Sequence, residues 1–162
     1  MGNLHEVIDQ LKGMSVSVVT GKLGTLTPTV YDINEAKGHA QKSGLPLRYF
    51  SPFTDSGNLR ATLHNFGPGN SSDVTWTITD RLLWRHLDGG IGIEDVANNL
   101  ATYLDNYIDA AKALAWSGIS TANDFQITGV DVTLRGDINF PAGSGQWYVG
   151  ADAVWTIEEV DP

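Results

Sequence analysis

The chain has no cysteine among its 162 residues, which excludes disulfides, thiolate metal sites and a cysteine nucleophile. Basic charge is scarce as well. Ten Lys and Arg stand against 19 Asp and Glu, a formal net charge of -9, and such a balance argues against a surface built to track phosphates. Apolar runs fall far short of the 18 or more residues that a membrane span needs, and MGNLHEVIDQ lacks a basic-then-apolar leader. The expectation is a soluble, unprocessed chain with no membrane partner. Catalytic signatures are missing too. His5, His39, His64 and His86 never bracket a carboxylate at i, i+4, and neither a G-x-S-x-G elbow nor a G-K-[ST] loop occurs. LDGGIGIED resembles a dinucleotide turn, but Asp95 stands where the third glycine belongs and Glu94 sits beside it, so two carboxylates would face the phosphates. The segment also lacks the alternating carboxylates of a calcium loop. No cofactor and no metal are expected, and a sequence this poor in chemical constellations is weak evidence against an enzyme.

What is present is patterned for one α+β domain over residues 1–162. Asn3 and Glu6 resemble a capping box, and Leu4, Val7, Ile8 and Leu11 follow at helical spacing to Gly13, which predicts a helix over 4–13. MSVSVVT reads as a strand. Residues 21–44 mix Gly, Thr, Pro and Lys without a sustained period and are expected to form a long irregular loop that orders on docking. LPLRYFSP, bounded by Pro46 and Pro52, suits a short edge strand. NLRATLHNF and VTWTITDRLLWRHL flank the polar turn GPGNSSD as a hairpin, and the Asn70-Ser71-Ser72 triplet within it reads as turn chemistry. After Gly89, Gly90 and Gly92 the period changes: Val96, Leu100, Tyr103, Leu104, Tyr107, Ile108, Ala111 and Leu114 make one helical stripe closing at Gly118. FQITGVDVTLRGDINF and QWYVGADAVWTIEEV form a second hairpin around PAGSG. The architecture expected is a largely antiparallel mixed sheet with helices packed on one face.

Within TWTITDRLLWRHLDGG, Asp80 interrupts an apolar face of Val74, Trp76, Ile78, Leu82 and Trp84, and the other face carries Arg81 and Arg85, about 13 Å apart. Arg48, Arg60, Arg81, Arg85 and Arg135 all fall on or beside expected strands, whereas Lys12, Lys22, Lys37, Lys42 and Lys112 fall on helices or loops. Arginine holds desolvated, bidentate pairs better than lysine and is enriched at protein interfaces with Trp and Tyr. Arg60, Asp80, Arg81, Arg85, Arg135, Trp147 and Tyr148 are therefore the candidates for a subunit interface. Asp80 is expected to pair with Arg60 or Arg135 across the sheet, or with an arginine of the next subunit. The plain reading of the same residues is surface arginines around core tryptophans. A carbohydrate-binding module, with Trp147, Tyr148 and Trp76 as stacking platforms, is the alternative from a different class, and a small hydrolase using Asp80 with a nearby His is a third.

The order of these features resembles the tail-terminator family of long-tailed bacteriophages. The residues that carry the resemblance are Leu45-Pro46 and Pro52; Trp76, Ile78, Arg81, Leu82, Leu83 and Trp84; Tyr103 and Tyr107; and the closing Trp155-Thr156-Ile157-Glu158. The resemblance implies a non-enzymatic virion protein of the tail or neck, assembled in the bacterial cytoplasm. It also implies a homo-oligomeric, hexameric ring on the tail tube protein, which stops tube growth and meets the neck and head-completion proteins. DNA would pass through that ring without sequence-specific binding. Another neck protein is the nearest alternative within the same class.

Overall fold

The computed structural model describes residues 4–21, 23–42, 44–51, 53–54, 57–58, 60–64, 73–87, 92, 94–117 and 125–160. They form a single α+β domain. Helix α1 spans Leu4–Lys12, buries Val7 and Leu11, and carries Glu6 in its first turn and Lys12 in its last, both favourable to the helix dipole. The proposed cap Asn3 lies outside the described residues. Strand β1, Val18–Thr20, pairs antiparallel with β2, Gly24–Leu26.

The segment expected as an irregular loop is built instead from β2, from β3 (Thr29–Tyr31) and from helix α2 (Ile33–Lys42). Its elements are too short to impose a period on the sequence, and among the described side chains of α2 those fully buried are the small Ala36 and Ala40. Tertiary contact therefore decides their structure. Tyr31 of β3 stacks on His39 of α2 at 4.1 Å between ring centroids, closing this unit on itself.

The main sheet has six strands. Its order is β3, β4 (Leu47–Ser51), β8 (Asp73–His86), β10 (Trp147–Val160) and β9 (Phe125–Asn139), with β7 (Arg60–His64) paired to the free half of β8. A small hairpin of β5 (Phe53–Thr54) and β6 (Gly57–Asn58) completes the strands. All pairings of the main sheet are antiparallel except β3 with β4. The short strand after Pro46 thus lies between β3 and β8, although its prolines suggested an edge. The prolines flank β4 without entering it, so its ladder is intact on both sides. Both expected hairpins form, with the turn residues 65–72 of the first outside the described residues.

The helical stripe begins as a π-helical turn over Asp95–Leu100 and continues as α3, Ala101–Ser117. Gly89, Gly90 and Gly118 lie outside the described residues. Helices α1 and α3 cover one sheet face, where Leu100, Tyr103, Tyr107 and Ala111 meet Ile78, Leu82, Trp84, Ala151, Ala153 and Trp155. Helix α2 takes the opposite face against Leu47, Tyr49, Leu83, Ile138 and Tyr148, so one end of the sheet is covered on both sides. Two glycine sites are required by shape. The β9–β10 turn holds Gly143 at φ 78° and Gly145 at φ 74°, a region side chains disfavour. A Cβ on Gly150 would fall on the carbonyl oxygen of Leu82, with the Leu82 carbonyl carbon only 2.9 Å away. That glycine sits at a break in the β8–β10 register.

Candidate functional site

Three charge clusters occupy the sheet. The first answers the question of Asp80. Its Oδ2 accepts hydrogen bonds from Arg48 Nε at 2.9 Å, Arg48 Nη2 at 2.6 Å and Tyr107 Oη at 2.6 Å. Arg48 also donates from Nη1 to the Met14 carbonyl at 2.7 Å, and Trp155 Nε1 donates to Tyr107 Oη at 2.9 Å. Side-chain exposure is 1% for both Arg48 and Asp80. Burial works against the Arg48 charge, yet Asp80 beside it, with Tyr107 and Tyr103, more than offsets that and holds the guanidinium protonated. Burial first, and the Asp80 charge second, push the Tyr107 phenol well above its ordinary pKa. It therefore stays a neutral donor. Asp80 Oδ1 and Tyr103 Oη are buried with no hydrogen-bond partner, and both residues line a cavity of about 10 Å³, the scale of one water.

Arg60, Arg135 or an arginine of the next subunit was the expected partner of Asp80, and among the described side chains the partner is Arg48. Arg48 stands on β4 opposite Leu82, and Phe50 stands opposite Asp80, so Arg48 shares the α3-facing side with the carboxylate. Arg135 stands on β9, two strands away and opposite Gly150. Strand alternation alone names the face of each residue and leaves the neighbouring strand unspecified.

The second cluster lies on the other face. Arg81 donates to Asp152 from Nε at 2.6 Å and from Nη2 at 2.8 Å, in a bidentate fork. Arg135 adds a bond from Nη1 to Asp152 Oδ2 at 3.1 Å and one from Nε to Asp137 at 3.1 Å. One carboxylate of β10 thus ties β8 and β9 together. Burial opposes the Arg81 charge, but the hydrogen bonds and charge of Asp152 raise its pKa overall. The third cluster lies at the start of the helix, on Asp95 of its first turn. Asp95 accepts from Trp84 Nε1 at 3.1 Å, Arg85 Nε at 2.7 Å and Asn99 Nδ2 at 2.9 Å. Desolvation pushes the Asp95 carboxyl up, and its donors Asn99, Arg85 and Trp84 outweigh that, leaving it below the usual range.

The interface candidates are sorted by these contacts. Asp80, Arg81 and Tyr148 are 2%, 4% and 0% exposed, so they act inside the subunit and cannot touch a neighbour directly. Arg81, opposite Tyr49, and Tyr148 lie on the face that α2 covers, which a one-sided sheet would have shown, whereas Asp80 lies beneath α3. Arg85 and Arg135 are committed to Asp95, and to Asp137 with Asp152. Arg60 sits on β7 opposite Thr77, and its side chain lies outside the described residues. Trp147 remains available at 44% exposure. Sequence reasoning missed Arg48, Tyr107 and Asp152 as participants, although Tyr103 and Tyr107 at i, i+4 on the apolar stripe marked where a phenol would meet the sheet.

An open end of the molecule adjoins the third cluster. Leu23 shares a groove there with Trp84 and His86, and it is exposed together with Leu87, which follows His86, and Trp147, which precedes the His86 partner Tyr148. A groove of about 280 Å³ is lined by Leu23, Leu26, Leu45, Pro46, Trp84 and His86. A second groove of about 510 Å³ is lined by Arg85, Glu94, Asn98 and Asn99. Among the described residues no group of three His, Asp or Glu is placed to hold a metal ion, and no helix is long and apolar enough to cross a membrane. No protein-family model matches the chain. No curated protein matches it either.

Proposed function

We propose that the protein is a structural virion component of a long-tailed bacteriophage, the tail terminator. In this reading it forms a hexameric ring on the head-proximal end of the tail tube, stops tube growth and joins the tail to the neck. One observation supports the reading from the geometry: three carboxylates of the sheet and of the helix start are tied up in ion pairs with strand arginines. Arg48 holds Asp80, Arg81 and Arg135 hold Asp152, and Arg85 holds Asp95. Charges spent in this way stiffen a scaffold and fix its register. The order of motifs given above supports the tail-terminator assignment in particular. The acidic net charge of -9 suits a ring through which DNA slides without adhering.

The carbohydrate-binding alternative needs several tryptophans open on one face. Trp84 and Trp155 are buried, Trp76 is half-buried and donates to Glu159 at 3.1 Å, and Trp147 is exposed. Among the four tryptophans whose side chains are described, that distribution favours assembly over glycan stacking. The test is absolute mass by light scattering during size-exclusion chromatography, with negative-stain images of the main peak. The expected particle is a ring of about 105 kDa, six copies of the 17.5 kDa chain. A monomer at every concentration that also fails to bind purified tail tubes would overturn the assignment.

A further inference from the structure

We propose that the cavity beneath α3 is a binding site for one water molecule, which donates a hydrogen bond to Asp80 Oδ1 and accepts one from Tyr103 Oη. The inference stands apart from the ring reading. Asp80 uses its two oxygens unequally. Oδ2 accepts from Arg48 Nε, Arg48 Nη2 and Tyr107 Oη at 2.6 to 2.9 Å, while Oδ1 has no partner among the described residues. Tyr103 Oη is a second atom in the same condition, on a side chain with no exposure. Both residues line the cavity of about 10 Å³ together with Arg48 and Tyr107, and the rest of its wall is Leu82, Leu104, Val132, Ala151 and Ala153. A space of that size holds one water, and a buried void with polar groups in its wall is hydrated where a purely apolar one stays dry. A buried acceptor left bare carries its full desolvation cost, which a hydrogen bond donated by water offsets.

Helix spacing selects a water for this place. Tyr103 and Tyr107 stand four residues apart on one face of α3, with ring centroids 6.4 Å apart. The Tyr107 phenol reaches Asp80 Oδ2 directly at 2.6 Å, so the Tyr103 phenol approaches the same carboxylate from about one turn further along the helix. Two hydrogen bonds through a water span about 5.5 Å from oxygen to oxygen, the scale of one helical turn. Burial above all raises the Tyr103 pKa, with the Arg48 charge opposing and the Asp80 charge reinforcing it, so the phenol keeps its proton and donates. The guanidinium of Arg48, also in the wall, offers a further donor and brings the water to the usual three bonds. The Y-x-x-x-Y spacing thus delivers two phenols to one carboxylate, one directly and one through water, and ties α3 to β8 at two levels.

A high-resolution crystal structure of the full chain, with water-selective NMR of the same protein in solution, tests the proposal. Expected in the crystal is one ordered water within about 3.2 Å of both Asp80 Oδ1 and Tyr103 Oη. Expected in solution are cross-peaks between water and the methyl groups of Ala151 and Ala153, with the sign given by a water that tumbles with the protein. Both residues are buried, so bulk solvent does not supply such peaks. Tyr103→Phe should shorten the residence time of this water, read by deuterium relaxation dispersion, about fivefold, the effect of one lost hydrogen bond. Tyr148→Phe removes another buried, unpartnered phenol from the opposite face of the sheet and should leave the residence time unchanged. A dry cavity would overturn the proposal, and so would a direct hydrogen bond from Tyr103 Oη to Asp80 Oδ1 that closes it. Equal residence times in the wild type and Tyr103→Phe, or equal shortening in both phenylalanine variants, would overturn the role of Tyr103 as the water's partner.

Discussion

Replacing Asp80 with alanine removes the one atom that holds Arg48 Nε, Arg48 Nη2 and Tyr107 Oη at 2.6 to 2.9 Å. The guanidinium left behind is 1% exposed and keeps the Met14 carbonyl, at 2.7 Å, as its remaining hydrogen bond. An uncompensated buried charge of this kind costs about 3–5 kcal/mol, or about 6–20 °C in melting temperature at this chain length. The paired replacement Arg48→Met with Asp80→Leu removes both charges together, so it should fall within about 2 kcal/mol of the wild type. Guanidinium unfolding of the wild type, both single variants and the double variant closes a thermodynamic cycle whose coupling energy reports the pair. A loss below about 1 kcal/mol for Asp80→Ala, the scale of an exposed pair, would refute the reasoning. So would a double variant that loses the sum of the two single losses, because the charges would then be independent.

Gly150→Ala should destabilise by at least about 2 kcal/mol or prevent folding, since the new methyl meets the Leu82 backbone, which has no rotamer to move away; thermal melting reads it. Tyr107→Phe deprives Asp80 of a donor and Trp155 Nε1 of its acceptor, and denaturant unfolding should register about 1–3 kcal/mol. For Asp95 the folded pKa is depressed, so its contribution is fully present above the unfolded value of about 3.9 and fades as pH falls through the folded value. The stability gap between wild type and Asp95→Asn should therefore be widest near neutrality and close on acidification below pH about 4; a gap that does not change with pH would contradict this. Acrylamide quenching of tryptophan fluorescence should fall in Trp147→Phe, because Trp147 is 44% exposed while Trp84 and Trp155 are 1% and 0%, and an unchanged quenching slope would count against that exposure.

Periodicity alone located α1, the long helical stripe and the hairpin of β9 and β10, because each runs long enough for its apolar face to repeat. It also set Asp80 on the apolar face of β8 and sorted arginine to strands: Arg48, Arg60, Arg81, Arg85 and Arg135 all lie within them. Tertiary structure decided the rest. Residues 24–42 carry two three-residue strands and a helix in which, among the described side chains, Ala36 and Ala40 are the fully buried ones, and segments that short gain their stability from what they pack against. Partner choice is likewise a matter of strand order. Arg48 reaches Asp80 because β4 enters the sheet beside β8 in a register that sets it opposite Leu82, a pairing 32 residues apart in the chain. The same order buried Arg81 and Tyr148 under a second layer and left β9 at the edge. A sequence states which face a side chain occupies, while only the folded sheet states which strand lies next to it.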